Sequence, residues 1–285
     1  MTLLKILVLA AIQGACELLP VSSSAHVILA EKLMGLDPTA PEMTLLLVML
    51  HTGTMFAVMV YFWHPWQQRY FASGRVFWPF ARRIVVATTL TGLIGLALML
   101  LIERVVLAGS AHAEIEQLFG NHDLIAGGLA AVGAMIILSA RRMERLPGNR
   151  VLGLRSAAWI GAVQGLCLPF RGFSRSGATI STGLLLGLDK QRVEEFSFAL
   201  AVVLTPAVIA KESYRLIQSP AGWVPSGSAF GLVWPSLVGM GLSFLAGLAA
   251  LKWLSRWLES GRWQWFGYYC MSAAVVVLAT GPILH

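Results

Sequence analysis

The sequence predicts an all-α polytopic membrane protein with six transmembrane helices and two re-entrant helical hairpins in an inverted-topology repeat. Three observations lead to this fold class. The chain is 57% hydrophobic and only 12% charged, whereas a soluble domain carries about 25% charged residues. Uncharged runs close to the ~20 residues that cross a bilayer recur along it. Two more apolar stretches are each interrupted by a proline, and they are similar to one another.

The net charge of +7 is best explained by membrane topology. Arg and Lys cluster in short segments between apolar runs, as the positive-inside rule requires of cytoplasmic loops. We therefore expect no nucleic-acid partner. The three cysteines, Cys16, Cys167 and Cys270, lie in apolar surroundings without metal-ligand spacing, and they indicate packing thiols with no disulfide.

Apolar runs locate the spans. The Arg-rich segments 64–83, 141–155 and 252–263 are expected in the cytoplasm, and 107–122, which has no Lys or Arg, outside. Segment 212–228 is also expected outside. The six predicted spans are 43–63, 84–102, 123–140, 195–211, 229–251 and 264–284.

The stretches 2–36 and 156–188, here called the first and second hairpins, are each two short apolar arms around a break with Pro20 or Pro169. Arms of 10–15 residues reach only about 15–22 Å, too short to span, so we expect re-entrant hairpins. Irregular backbone at membrane depth is tolerated only where protein or a wet cavity surrounds it. Each break therefore indicates a site.

The two hairpins are copies of each other. Both open with Gln-Gly-x-Cys and close with Gly-Leu-Asp, and one inserted residue aligns Ser22 and Ser24 with Ser174 and Ser176. Three spans separate the copies, which inverts the second. We predict a single membrane domain, 1–285, with one repeat over about 1–140 and another over about 150–285. Inverted repeats with broken helices form their site where the repeats meet.

The first hairpin carries candidate metal and proton chemistry. Gln13 and Glu17 are four residues apart and share one helix face, where an amide and a carboxylate suit a hard divalent cation that completes its shell with phosphate oxygens. Ser22, Ser23 and Ser24 fall at the start of the next half-helix, whose N–H groups attract anions. His26 follows within a turn.

The second hairpin carries candidate phosphate ligands. Its segment "RGFSRSGAT" contains arginines that bind phosphate oxygens bidentately and glycines that let backbone approach them. Such a set suits a metal-bound phosphate ester or anhydride. The candidate substrate-binding residues here are Arg171, Ser174, Arg175, Ser176 and Thr179.

Structural explanations compete for each residue. Serines at a helix start are commonly caps, an isolated histidine is commonly structural, and Glu17 and Arg175 could form a buried ion pair. His51 and Thr52 fit helix packing better. The joint pattern favours function, because ionisable groups inside a membrane are costly and here recur at matching breaks.

At these residues the chain resembles the undecaprenyl pyrophosphate phosphatase family, also called the bacitracin-resistance protein family. "QGACELLPVSSSAH" (13–26) is similar to its first motif and "RGFSRSGATISTGLLLGL" (171–188) to its second. The resemblance implies a bacterial inner-membrane enzyme that hydrolyses undecaprenyl pyrophosphate to the monophosphate, recycling the lipid carrier for cell-wall synthesis. It implies a site facing the periplasm and a divalent cation, Mg²⁺ or Ca²⁺. The expected partners are the polyprenyl pyrophosphate substrate and membrane lipids. A homodimer is also compatible with the resemblance.

Residue by residue, the resemblance carries metal binding to Gln13 and Glu17, catalysis to Glu17, a hydroxyl or nucleophile role to Ser23, and acid–base work to His26. It carries pyrophosphate binding to Ser174, Arg175, Ser176 and Thr179 of the second motif, with Arg175 neutralising charge. Two positions depart from the family pattern. Gln13 stands where many members have Glu, and Arg171 stands where the second motif usually has Pro.

Two questions stay open at the level of sequence. The nucleophile is either Ser23 activated by His26, three residues away on one helical face, or a metal-positioned water. A transporter or lipid flippase is the competing function class, since inverted repeats of broken helices are typical of transporters.

Overall fold

The computed structural model describes residues 2–36, 41–106, 121–145, 148–218 and 229–280. Within these ranges the regular structure is helical, apart from one isolated bridge between Arg150 and Leu188, which confirms the all-α prediction. A π-helical turn, Ile102–Val106, follows α4. The helices are α1 Leu3–Leu18, α2 Ser23–Leu33, α3 Pro41–Arg69, α4 Gly74–Leu101, α5 His122–Arg145, α6 Leu154–Leu166, α7 Arg175–Leu185, α8 Lys190–Gln218, α9 Ala229–Glu259 and α10 Gln264–Thr280.

Five helical segments are long and apolar enough to cross a bilayer, and each contains most or all of one predicted span. The chain is therefore a multi-pass membrane protein. The sixth predicted span, 264–284, coincides with α10, which has 17 residues; its last residues lie outside the described ranges, as do 107–120 and 219–228 of the predicted outer loops. The five segments are Met43–Arg69, Gly74–Arg104, His122–Arg145, Lys190–Lys211 and Val233–Glu259.

Two loops are shorter in the structure than the sequence predicts. The connection expected over 64–83 is wrong in extent, because α3 continues to Arg69 and α4 begins at Gly74. Likewise α9 runs to Glu259, into the loop expected over 252–263. The reason is physical: the apolar run marks the hydrocarbon core, while the helix continues past it with aromatic and cationic side chains suited to the interface.

The chain divides into two compact units, each described by itself. Unit 1 comprises Met1–Leu19, Ser23–His64 and Ala201–Leu254. Its core forms where α1, α2 and α3 bury one apolar face each. Burial of such side chains contributes about 25 cal/mol per Å² in water, whereas in lipid close packing takes over. The buried core residues are Ile6, Leu9, Ala10, Val27, Ala30, Met43, Leu46 and Leu50.

Unit 2 comprises Pro20–Ser22, Pro65–Leu200 and Ser255–His285. Its helices approach closely through small residues, which is how helices associate where water gives no hydrophobic drive. A Cβ on Gly161 would lie 2.3 Å from the carbonyl oxygen of Ala87, so α6 and α4 are in backbone contact. Thr91 Oγ1 donates to the carbonyl oxygens of Ala87 and Gly161, both at 2.9 Å, and ties the two helices together.

Two adjacent carboxylates at the start of α8 are explained by unit 2 itself. Glu195 accepts from Arg69 Nη1 at 2.6 Å, and Glu194 accepts from Ser255 Oγ at 2.5 Å. Burial, and after it the neighbouring Glu195 carboxylate, raises the pKa of the Tyr70 phenol, which stays protonated and donates to Glu195. These groups join the ends of α3 and α9 to α8, so we assign them to structure.

Both hairpins end in the same way. Gly35 and Gly187 take the left-handed conformation, with φ of 60° and 78°, just beyond α2 and α7. In each copy the next residue closes the helix by a six-residue backbone bond: Leu36 N–H donates to Glu31 and Leu188 N–H to Gly183. This is the Schellman motif. It explains why Gly-Leu recurs at both hairpin ends.

Candidate active site

The first break separates α1 from α2 as the proline predicted. α1 ends at Leu18, and Leu19 is extended with ψ of 152°. Ser22 has φ of 66°, the only non-glycine residue with positive φ among those described. This conformation costs a serine about 1–2 kcal/mol, and such strain clusters at functional sites. The turn lets α2 begin at Ser23, close to the end of α1.

Glu17 is the hub of the first hairpin's polar groups. Its Oε2 accepts a 2.6 Å bond from Ser23 Oγ and a 3.3 Å bond from Gln13 Nε2. The Gln13 side chain is buried, while Glu17 and Ser23 are half-buried. The predicted metal and nucleophile residues are thus brought together, and the serine hydroxyl is directed at a carboxylate.

His51 of α3 also lies at this carboxylate. Its Nε2 is 4.0 Å from Glu17 Oε2, and its Nδ1 is 2.8 Å from the carbonyl oxygen of Leu47. A carbonyl only accepts, so Nδ1 carries a proton and donates it. The expectation that His51 serves only helix packing is incomplete, because the ring faces the proposed catalytic carboxylate.

Glycines press α1 and α3 onto the same stretch of α9. A Cβ on Gly14 would lie 2.7 Å from Ser243 O, and one on Gly53 would lie 2.3 Å from Met240 O. Ser243 Oγ in turn donates to Leu50 O at 2.9 Å. Because α9 fixes both helices, the Glu17 carboxylate and the His51 ring are held in register.

The remaining residues of the first motif lie around the same turn. Ser24 and His26 are half-buried in the first turn of α2, and Ser22 is buried in the break. Ser23 and His26 are three residues apart, as predicted, but the hydrogen bond of Ser23 goes to Glu17. The assignment of acid–base work to His26 stays a prediction.

The second break is capped by a serine. Ser174 is the N-cap of α7 and accepts from Gly177 N–H at 3.3 Å; Ser174 and Ser176 hydroxyls are 3.3 Å apart. Gly172, at φ of 91°, lies so close to α5 that a Cβ there would be 2.2 Å from Ile125 O. Only glycine fits this position.

Burial separates the second motif's hydroxyls from its arginines. Ser174, Ser176 and Thr179 are buried, and Thr179 Oγ1 lies 2.6 Å from Ser197 Oγ of α8. Arg171 and Arg175 are half-buried. The hydroxyls hold the first turn of α7, and the two arginines are partly exposed.

Within unit 2, the first break contacts the start of α7. A Cβ on Gly177 would lie 3.2 Å from Pro20 Cβ, and Cys270 Sγ donates to Pro20 O at 3.2 Å. Pro20 therefore packs beside the helix N-terminus that Ser174 caps.

The donors around Glu17 fit a divalent cation that also uses substrate oxygens. A carboxylate and an amide are hard oxygen donors, and Gln13 spends its NH₂ group on Glu17, which leaves its carbonyl oxygen to a cation. Among the described residues no group of three or more His, Cys, Asp or Glu side chains forms a metal cage. Phosphate oxygens would have to complete the shell.

From the sequence, His51 was assigned to helix packing and Ser197 was not singled out. His51 and Ser197 lie 34 and 18 residues from their partners, a separation at which helical periodicity carries no information. Each did leave a signal, namely a polar side chain within an apolar helix.

Nearly the whole chain matches one known protein family. The sequence pattern of the family described as bacitracin resistance protein BacA matches residues 6–276. The chain is 60% identical to undecaprenyl-diphosphatase 2 of Acinetobacter baylyi over 283 residues, covering 98% of both chains. It is 36% identical to the undecaprenyl-diphosphatase of Thermus thermophilus over 277 residues, covering 95% of this chain and 94% of the relative.

A third relative, the undecaprenyl-diphosphatase of Rhodopirellula baltica, is 30% identical over 278 residues, covering 97% of each chain. The matches extend through both hairpins and the helices that hold them. They confirm the family inferred from the two motifs: this chain belongs to the bacitracin resistance protein BacA family.

Proposed function

We propose that this chain hydrolyses undecaprenyl pyrophosphate to undecaprenyl phosphate and inorganic phosphate, and so recycles the lipid carrier for cell-wall synthesis. Relatives named undecaprenyl-diphosphatase align with this chain over nearly its whole length. The family name connects them with bacitracin resistance. The observation that carries the proposal is the 2.6 Å bond from Ser23 Oγ to Glu17 Oε2 at a helix break.

Proton transfer at the first hairpin follows from that bond. As Ser23 Oγ attacks the terminal phosphorus, its proton passes to Glu17, the oxygen it already contacts. The P–O bond to the bridging oxygen breaks, and undecaprenyl phosphate leaves. Water then cleaves the serine phosphate, with His26 as the second acid–base group. If water is the direct nucleophile instead, Ser23 orients it, Glu17 accepts its proton, and the same P–O bond breaks.

A divalent cation, Mg²⁺ or Ca²⁺, held by Glu17 and Gln13, supplies neutralisation of the pyrophosphate charge when bound. Gln13 orients the Glu17 carboxylate through its amide N–H. Since Gln13 is neutral where many relatives carry Glu, the site has one fewer negative charge, and we expect altered metal affinity with activity retained.

Substrate phosphate binding falls to the second hairpin. The N-terminus of α7 presents backbone N–H groups and the positive end of the helix dipole, and Arg175 adds a planar guanidinium that binds phosphate bidentately. Ser174, Ser176 and Thr179 hold this turn through the hydrogen bonds described above.

We further propose that both hairpins are re-entrant, that α10 is a sixth span, and that the site faces the periplasm of the inner membrane. Arg-rich segments set this orientation. After replacement of the native cysteines, a membrane-impermeant thiol reagent applied outside should label Lys32→Cys and spare Asn149→Cys, both exposed positions. The reverse labelling pattern would invert the topology.

The function itself is tested by phosphate release from undecaprenyl pyrophosphate by the purified chain in detergent. Without a sealed membrane, transport produces no signal, so metal-dependent phosphate release identifies an enzyme. Lipid binding without release would favour the transporter or flippase. A rapid-quench experiment distinguishes a serine nucleophile from a water nucleophile, because only the serine produces a burst of phosphoenzyme.

A further inference from the structure

We infer that His51 is an additional metal ligand of the Glu17 site, binding the divalent cation through Nε2. The inference rests on the proposed function, because it adds a protein ligand to the cation that the hydrolysis uses. It also predicts which cation this chain prefers. Four features of unit 1 support it: the tautomer of the ring, its distance from Glu17, its fixed backbone and its partial exposure.

The tautomer presents the correct nitrogen. Nδ1 donates to Leu47 O at 2.8 Å, so in the neutral ring Nε2 carries the lone pair. That lone pair faces Glu17 Oε2 at 4.0 Å, with two electron-rich atoms opposed. A cation held jointly by Nε2 and the Glu17 carboxylate would turn this opposition into attraction. A ring N–H donated to a backbone carbonyl is also the usual support of a metal-binding histidine, since it fixes the tautomer and orientation.

The ring is placed by a rigid helix contact. Gly53, two residues after His51, lies against α9 so closely that a Cβ would be 2.2 Å from Ser243 Oγ, and Gly14 presses α1 on the same residue of α9. A ligand pair from two helices locked on a third is preorganised. Neither side chain is sealed off: the exposed fractions are 31% for His51 and 18% for Glu17.

The donor set changes the expected metal preference. Carboxylate and amide oxygens suit Mg²⁺ and Ca²⁺, whereas imidazole suits transition metals. With a neutral Gln13, the site has one carboxylate and one imidazole, which favours a cation that accepts nitrogen, such as Mn²⁺, over Mg²⁺ or Ca²⁺. We therefore expect Mn²⁺ to bind more tightly than Mg²⁺ in the absence of substrate.

The test measures Mn²⁺ binding to the intact chain in detergent without lipid substrate. Electron paramagnetic resonance gives the free Mn²⁺ concentration, and electron spin echo modulation reports nitrogen ligands. Wild type should show a ¹⁴N imidazole signal; His51→Ala should lose it and bind Mn²⁺ at least about tenfold more weakly. His51→Gln, close in shape, should lose the signal and the preference for Mn²⁺ over Mg²⁺.

His64→Ala is the matched control, an exposed histidine on the same helix, and should leave both readouts unchanged. No ¹⁴N signal in wild type, or equal Mn²⁺ affinity in wild type and His51→Gln, would overturn the inference. Hydrolysis is scored separately on the same preparations. Metal-dependent hydrolysis without the ¹⁴N signal rejects the ligand and keeps the function; the signal without hydrolysis rejects the function and keeps the ligand.

Discussion

The two hairpins share a scaffold and differ in chemistry. Gln13 and Gln164 occupy the same place in the Gln-Gly-x-Cys opening, yet Gln13 donates to Glu17 whereas Gln164 donates to Thr91 and joins α6 to α4. The next residue is a glycine in both copies, and each glycine lies against the backbone of a neighbouring helix. A Cβ on Gly14 would be 2.7 Å from Ser243 O, and one on Gly165 would be 2.9 Å from Thr91 O.

What duplication preserved is therefore the helix packing and the left-handed ends, and what diverged is the polar lining. The first copy has a carboxylate at Glu17, where the second has Leu168. The second copy has arginines at its break, where the first has none. This division suggests that proton and metal chemistry belong to the first hairpin and phosphate binding to the second.

The largest expected effect is at Glu17. Glu17→Gln keeps the shape and removes both the proton acceptor for Ser23 and the charge for the cation, so turnover should fall by about 100-fold or more. Thermal melting should be close to wild type, because the residue is half-buried. Retained turnover at saturating Mg²⁺ would show that the first hairpin does not carry the chemistry.

Arg175 tests the second hairpin. Arg175→Ala should lower kcat/KM by about 30-fold or more, since loss of a charge-assisted phosphate contact costs about 2–5 kcal/mol. Arg175→Lys should stay severely impaired, because an ammonium lacks the planar fork. Arg171→Ala is the matched control and should be milder; equal severity at both arginines would mean that they share the phosphate.

The two glutamines give a smaller and more selective comparison. Gln13→Leu should weaken Mn²⁺ binding about 10–100-fold, because it removes the group that orients Glu17. Gln164→Leu should leave metal binding unchanged and alter stability by less than about 1 kcal/mol, since it loses the Thr91 bond together with a buried, unpartnered Oε1. Metal titration and thermal melting of both variants distinguish the two roles.

The smallest difference between the two hairpins is expected at their equivalent glycines, Gly14 and Gly165. Gly14→Ala and Gly165→Ala should each destabilise by about 1–3 kcal/mol through overpacking, because each added Cβ meets backbone of the neighbouring helix. Thermal melting of the two variants should shift by similar amounts. A shift at only one glycine would show that the scaffold is not equivalent in the two copies.

The length of apolar runs and the placement of charges predicted the fold. These two signals define a helix only where it crosses the hydrocarbon core, and not where it continues into the interface. They located five spanning helices but placed the start of α4 at 84 when it begins at Gly74, because interfacial residues extend a helix without being apolar. They also located both breaks, because a proline and polar residues are unfavourable within a continuous apolar helix.

The site was predictable only where its partners are near in sequence. Gln13 and Glu17 were paired by helical spacing, whereas Ser174 was predicted only as a phosphate ligand and also caps α7. The bond from Ser23 to Glu17 crosses a turn made by a left-handed serine, Ser22, which no periodicity describes. His51 depends on how α3 packs against α9, and that is a tertiary property.

The division of labour between the hairpins is tested most directly by substrate-free Mn²⁺ affinity in Glu17→Gln and Arg175→Ala, measured side by side with wild type. The account predicts that Glu17→Gln loses Mn²⁺ binding, because it removes the anionic ligand, and that Arg175→Ala binds Mn²⁺ as tightly as wild type. Equal loss in both variants, or loss in Arg175→Ala alone, would contradict it.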